Sequence, residues 1–263
     1  MSKSSQKTAI ITGSSKGIGL AIAQELASQD YAVIVTSRDP DYADEIAQGI
    51  KNTGGTALGI SFDIEQPEVI EPLIQTTVDT FGRLDLLVNN ALSQNCLVPL
   101  PACDRTMIES AFTTNITNTL ALTQAAYPYL KNTQGNVINI GSVVISRHLL
   151  GLPLYAIIKG AIDQMTKVLA SEWAADQVRV NAINPGFIET SAFADLGMPD
   201  EQIKQAYEFY KGYSPLGKTG QPDAIGKLAA YLASPGAELI TGSTYDIDGG
   251  YNVQGLPLFG ADQ

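Results

Sequence analysis

The stretch TAIITGSSKGIG, residues 8–19, reads as a short β-branched run, a turn and the start of a helix at about Ile18. Gly13 suits a tight turn, Gly17 lets backbone approach a ligand, and Gly19 lets the helix lie close on the strand. The turn residues Ser15, Lys16 and Ile18 then offer amide donors beside the positive end of a helix, and a diphosphate is the natural occupant. The spacing is GxxxGxG rather than GxGxxG, so the strand before it and the helix after it carry the reading.

The same alternation runs on through the chain. YAVIVT precedes a helical pattern over 42–50, ALGISF one over 69–81, and LDLLVNN one over 105–130. GNVINIGS, a helix over 154–173, VRVNAINPG, a helix near 224–232 and STYDIDGG complete the series. Continuous apolar strands with helical crossovers imply an α/β fold, a Rossmann-type doubly wound sheet of seven parallel strands covered by helices on both faces. No repeat or Pro/Gly-rich linker divides residues 1–263, so a single domain is expected. Residues 190–220 mix turn residues with five aromatics and leave the sixth strand at its carboxyl end, where open α/β folds hold their ligands; they are expected to form a substrate lid.

Twenty-seven acidic residues against sixteen basic ones give a net charge of −11, with no basic block that could face a polyanion, so nucleic acid is not an expected partner. No run approaches the ~20 apolar residues of a membrane span. The start MSKSSQK leads into too short an apolar stretch for a signal peptide. Cys96 and Cys103 lack the paired spacing of a zinc site and are read as buried thiols, with no metal site expected. Together these features fit a reduced, cytoplasmic setting.

At the end of the second strand, where an acidic residue favours a free ribose 2′-hydroxyl and a basic one a 2′-phosphate, the chain reads VTSRD. Ser37 is neutral, Arg38 is basic and Lys16 adds a second cation, so NADP(H) is favoured over NAD(H). Asp39 is the opposing signal, and its place before Pro40 suits a turn.

Three Tyr/Lys pairs share a four-residue spacing: Tyr127 with Lys131, Tyr155 with Lys159, and Tyr207 with Lys211. A phenol titrates near ~10, so proton exchange near neutrality needs a stabilised anion. An ammonium about 4 Å away supplies about 4 kcal/mol at an effective dielectric near 20, provided the site is dry. Tyr207 and Lys211 lie in a polar stretch and read as a solvated face. Tyr127 and Lys131 end a helix, where they pack and cap. Tyr155 and Lys159 open a helix that is apolar almost all round, and Ser142 at the end of the fifth strand faces the same crevice.

With these residues in place, the chain resembles a short-chain dehydrogenase/reductase over nearly its whole length. TGSSKGIG is similar to the family's cofactor turn, FDI (62–64) to its adenine contact, NNA (89–91) to its fourth-strand motif, and NPGFIET (184–190) to its nicotinamide-side motif. The resemblance thus implies cofactor contacts by Asp63, Ile64, Asn89, Ala91, Pro185, Gly186, Ile188 and Thr190, besides Tyr155 and Lys159. Asn115, Ser142, Tyr155 and Lys159 fall in the order of the family's catalytic tetrad. It implies that Tyr155 exchanges the proton of a carbonyl or alcohol, Lys159 holds the ribose and lowers the Tyr155 pKa, Ser142 orients the carbonyl, and Asn115 anchors a water relaying protons to Lys159. Leu92 replaces the family's usual Gly after NNA, and Ile157 and Ile158 are larger than usual between Tyr and Lys.

The expected partner is a small-molecule carbonyl or alcohol substrate, in a mostly apolar pocket drawing on Leu92, Leu149, Leu150, Leu152 and Phe187 with Tyr207 and Tyr210 from the lid, besides Ser142 and His148. NADPH-dependent ketone reduction is the leading reading. Enoyl-thioester reduction is an alternative, although relatives doing it usually carry six residues between Tyr and Lys where this chain has three. A non-catalytic dinucleotide sensor or scaffold is another, although it would be expected to have lost tetrad members. Apolar outward faces on the helices over 105–130 and 154–173 imply a homodimer or homotetramer. The tail GLPLFGADQ is expected to pack on a neighbour or to fray.

Overall fold

The computed structural model describes residues 6–255, so all of the tail after Gly255 lies outside the described residues. Seven parallel strands form one sheet in the order β3-β2-β1-β4-β5-β6-β7: β1 Thr8–Ile11, β2 Ala32–Ser37, β3 Thr56–Ser61, β4 Leu86–Asn89, β5 Asn136–Ile140, β6 Arg179–Pro185 and β7 Thr244–Ile247. The chain builds outward from β1 to β3 and returns to place β4 on the other side of β1, so the order reverses there and opens a crevice above the strand ends.

Period-two alternation along each strand feeds two cores. Ala9 and Ile11 of β1 face one layer, made by α1 (Gly17–Ser28), α2 (Pro40–Asn52) and α9 (Pro222–Ala233). Ile10 faces the other, where α3 (Ile70–Phe81), α5 (Asn118–Thr133) and α6 (Pro153–Trp173) pack.

The helix expected over 105–130 is not one α-helix. It comprises α4 (Arg105–Phe112), a π turn over Thr113–Thr117, and α5. The cause lies at Asn115, whose side-chain Nδ2 donates to the Ala111 carbonyl at 3.0 Å, the acceptor its own backbone N–H would use in an α-helix. The sheet carries a second polar device. Asn89 Nδ2 donates to Thr123 Oγ1 (2.9 Å) and to Asn139 Oδ1 (2.8 Å), and Asn139 Nδ2 donates to Thr166 Oγ1 (2.8 Å). These bonds tie α5 and α6 to β4 and β5, which sets the height of both helices above the strand ends.

Asn139 is fully buried. Asn139→Ala leaves the Thr166 hydroxyl without its donor and opens a void, so it is expected to cost about 1–3 kcal/mol in denaturant unfolding. A loss below ~0.5 kcal/mol would show that the network does not hold the helices.

Candidate active site

The glycine turn lies where the crevice opens. Gly13 and Gly17 take left-handed φ values of +62° and +57°. A Cβ on Gly19 would stand 2.3 Å from the Gly13 carbonyl and 2.6 Å from Asn90 Nδ2, so only glycine fits there. Asn90 stitches the turn to the sheet by donating to the Thr12 and Gly13 carbonyls at 2.8 and 3.0 Å. Ser15 is buried within the turn. No side chain caps α1, and its first turn carries no acidic residue. Its first amides therefore remain without side-chain acceptors, beside a cavity that Lys16, Gly17, Ile18 and Gly19 help to line. An uncapped helix start in a cradle closed to any Cβ fits a dinucleotide diphosphate.

Toward the adenosine end, Arg38 is exposed and its guanidinium has no hydrogen bond or ion pair among the described residues. Asp39 is occupied as the N-cap of α2, its Oδ1 accepting from the Asp41 and Tyr42 amides at 3.0 and 3.3 Å. Ser37 Oγ accepts from the Asp39 amide, and Asp63 Oδ1 accepts from the Glu65 amide. Ile64 is buried, with its carbonyl taking the Asn118 amide group at 2.7 Å. The Ala91 amide donates to Thr12 Oγ1 at 2.9 Å. Two expected cofactor residues have other partners. The Asn89 amide is turned into the sheet network, and its neighbour Asn90 lines the cavity instead. The Lys16 ammonium is 2.7 Å from Asp195 of the short helix α7 (Ala192–Asp195), so it is already neutralised by the segment above the crevice.

Ser142, Tyr155 and Lys159 line one cavity of about 370 Å³ together with Pro185, Gly186, Ile188 and Thr190 from the end of β6. Lys159 is 6% exposed, and its Nζ donates to the Ile140 carbonyl at 2.7 Å and stands 5.8 Å from the Tyr155 ring centre. Burial lowers its pKa to about 8. Tyr155 goes the other way: burial raises the phenol, with only the Ser142 hydroxyl pulling it down. Lys159 exerts no lowering on Tyr155 in this geometry: its ammonium is turned onto the Ile140 carbonyl, and desolvation is the largest influence on the phenol.

Asn115 is buried beside the site rather than on the cavity wall. Its Oδ1 accepts from the Ser93 amide at 2.9 Å, and its Nδ2 serves Ala111 and Asn95. The side chain therefore holds the loop after β4. Ile158 is fully buried against Cys96, Ala111 and Leu154, whereas Ile157 is 54% exposed, so α6 is not apolar against protein all round. Cys96 is buried and Cys103 only partly so.

Residues 190–220 lie over the cavity as α7 and α8 (Asp200–Lys211), closed at their base by the Gly220 amide on the Phe187 carbonyl at 2.8 Å and the Glu189 amide on the Gly220 carbonyl at 2.9 Å. Phe187 stacks on Tyr210 at 3.6 Å between ring centres. Leu92 and Phe187 line the cavity as expected. Tyr207 is no solvated residue: its hydroxyl donates to the Ile188 carbonyl and accepts from the Thr190 amide at 3.1 Å, clasping the segment to the strand it leaves. His148 is exposed and off the cavity wall, its Nδ1 2.8 Å from the Val144 carbonyl. Leu150 stands wholly in solvent. Leu149 faces the cavity as expected, and with it come two unexpected residues, Arg147 and Tyr251. These two carry no sequence signal of their own, because the loop after β5 and the turn after β7 meet only in the fold. The other two Tyr/Lys pairs are structural. Tyr127 stacks on Trp173 at 4.5 Å, and Lys131 pairs with Asp176 at 2.8 Å. Lys211 pairs with Glu208.

Among the described residues no cluster of His, Cys, Asp or Glu could hold a metal ion, and no helix is long and apolar enough to cross a membrane. A family model described as enoyl-(acyl carrier protein) reductase matches residues 13–252. An uncharacterized oxidoreductase of Methylorubrum extorquens is 35% identical over 251 residues, covering 95% of this chain and 99% of its own. Glucose 1-dehydrogenase 2 of Bacillus subtilis is 36% identical over 254 residues, covering 94% and 95%. A tropinone reductase homolog of Arabidopsis thaliana is 34% identical over 253 residues, covering 95% and 91%. Among solved structures, a short-chain dehydrogenase/reductase of unknown function from Caenorhabditis elegans, crystallised with cofactor, superposes with a TM-score of 0.85 at 28% identity, covering 94% of this chain and 95% of the other.

Because burial alone depresses Lys159, its amine is expected to titrate near pH 8 in protein without added dinucleotide, as read by NMR of carbon-labelled lysine. Tyr155→Phe is expected to leave that midpoint in place. A midpoint in the ordinary lysine range, near ~10.4, would contradict the dry site.

Proposed function

The chain belongs to the short-chain dehydrogenase/reductase family, and on that footing we propose that it is an NADPH-dependent carbonyl reductase in which Tyr155 is the proton donor. The family membership makes it an oxidoreductase that uses a nicotinamide dinucleotide. The observation that carries the finer reading is that Ser142, Tyr155 and Lys159 line the same cavity as the uncapped start of α1.

When bound, the nicotinamide supplies the hydride that reduces the carbonyl carbon. The protein's part is the proton and the oxygen. Tyr155, kept protonated by burial, gives its phenolic proton to the carbonyl oxygen, and the product is an alcohol. Ser142 donates a hydrogen bond to the same oxygen and holds it against the phenol. The phenolate left behind is stabilised by Lys159, one helical turn along α6 in a site that excludes water. Burial holds Tyr155 in the protonated form, the form from which reduction starts.

NADP(H) is favoured over NAD(H) because Arg38 is unengaged at the end of β2 while the acid beside it, Asp39, has its Oδ1 taken up as the cap of α2. Lys16 joins the phosphate site only if it leaves Asp195. The description of the matching family model keeps enoyl-thioester reduction as the rival chemistry. Against it stands the three-residue gap between Tyr155 and Lys159, which puts them on adjacent turns of one helix. The likeness of Leu120, Ile157 and Val168, all exposed and apolar on α5 and α6, to a covered surface supports a homodimer or homotetramer. Residues 190–220 serve as the substrate lid.

Loss of NADPH absorbance with a panel of ketones and aldehydes, run beside enoyl thioesters, tests the reaction. Turnover of carbonyl compounds alone is expected, and turnover of enoyl thioesters alone would overturn the reading. Arg38→Asp is expected to weaken NADPH against NADH by on the order of 10- to 100-fold in kcat/KM, the worth of a charged hydrogen bond. An unchanged ratio would remove Arg38 from the phosphate site.

A further inference from the structure

The cavity's wall carries four charged side chains, and three of them are engaged. Lys16 and Asp195 neutralise each other, and Lys159 is buried on the Ile140 carbonyl. The fourth is Arg147, on the loop between β5 and α6, for which no acidic partner stands within ion-pair distance among the described residues. It is nonetheless held firmly. Its guanidinium lies 4.3 Å from the Tyr251 ring centre and 5.7 Å from that of Tyr213, and its Nη1 donates to the Tyr251 carbonyl at 2.8 Å and to Gln254 Oε1 at 3.2 Å. Both of those bonds use Nη1. The Nε and Nη2 edge, the side that grips a carboxylate with two parallel bonds, has no acceptor among the described residues.

We propose that Arg147 is a specificity-determining residue that binds a carboxylate on the substrate, so that the compound reduced is an oxo acid with an apolar body. The inference rests on the carbonyl-reductase reading and names its substrate class. Leu92, Val144, Leu149 and Phe187 supply the apolar wall for the body of such a molecule. The charge balance makes a local cation necessary. The protein carries a net charge of −11, which repels an anionic substrate, and that repulsion is screened beyond about 8–10 Å at physiological ionic strength. Inside the cavity the two cations without an acidic partner are Lys159, whose ammonium is turned onto the Ile140 carbonyl, and Arg147, which is planar, already desolvated on one face by Tyr251 and has an open two-donor edge.

Two arms test this, one of them independent of turnover. In the first, levulinate and benzoylformate are each compared with their methyl esters under saturating NADPH. The acids are expected to exceed the esters in kcat/KM, and Arg147→Met is expected to raise KM for the acids by on the order of 10- to 100-fold while changing the esters less than about threefold. Arg147→Lys is expected to recover part of the loss. In the second, the thermal shift produced by phenylacetate is compared with that of phenylacetamide in the presence of NADP. Only the carboxylate should stabilise the wild type, and neither should stabilise Arg147→Met. Equal loss of acids and esters in Arg147→Met would mean that the residue only pins the turn at Tyr251–Val253, and would overturn the proposal. Esters reduced by a wild type that neither binds nor reduces the acids would overturn it too, leaving carbonyl reduction intact. Arg147-dependent carboxylate binding without turnover of any carbonyl compound would uphold the anion site and refute the reductase reading instead.

Discussion

A lysine ammonium with 6% of its surface exposed is the constraint around which the site is arranged. Burying a charge is costly unless something holds it, and here the holder is the Ile140 carbonyl at the last residue of β5. That bond fixes where α6 starts relative to the strand ends, and so where Tyr155 stands. The helix cannot drift, because Thr166 further along it is tied through Asn139 and Asn89 to the centre of the sheet. Stability and reactivity are therefore coupled at this point. The packing that seats α6 also buries both groups, and that burial lowers Lys159 to a pKa of about 8 and raises the Tyr155 phenol.

The dinucleotide side is built on the opposite logic, with groups left unsatisfied. The start of α1 has no cap, Gly13 and Gly17 adopt backbone conformations closed to most residues, and Gly19 lies against a carbonyl where no side chain fits. Lys16 joins this turn to the segment above the cavity through Asp195, while Tyr207 and the Phe187–Tyr210 stack hold that segment from the β6 side. The Lys16 ammonium beside the turn is thus paired with an acid of α7.

Much of this was legible in the residues because it depends on local pattern. The β-branched runs and their crossovers announce the parallel sheet, and TGSSKGIG between strand and helix announces the turn. Expected dryness chose Tyr155 over Tyr127 and Tyr207, and Lys159 is indeed buried whereas Lys131 and Lys211 are paired at the surface. What was not legible depends on which way a loop faces after packing. Leu149 was read as a pocket residue, but His148 and Leu150 alternate with Arg147 and Leu149 along one loop, and no periodicity in so short a segment tells that Arg147 turns inward in place of His148 and Leu150. The π turn at Asn115 was not legible, since the side-chain bonds to Ala111 and Ser93 that accompany it depend on the loop after β4 folding against the helix. Tyr251 comes to the cavity from the far end of the chain, beyond the reach of any local reading.

The central claim is that one cleft both holds the dinucleotide and supplies the proton, by different residues. Measuring turnover and NADPH affinity together in Tyr155→Phe tests it most directly. The account predicts that kcat falls by on the order of 10²- to 10⁴-fold while the NADPH Kd moves by less than about threefold. Turnover retained within about tenfold of wild type, or affinity lost in proportion to turnover, would contradict it.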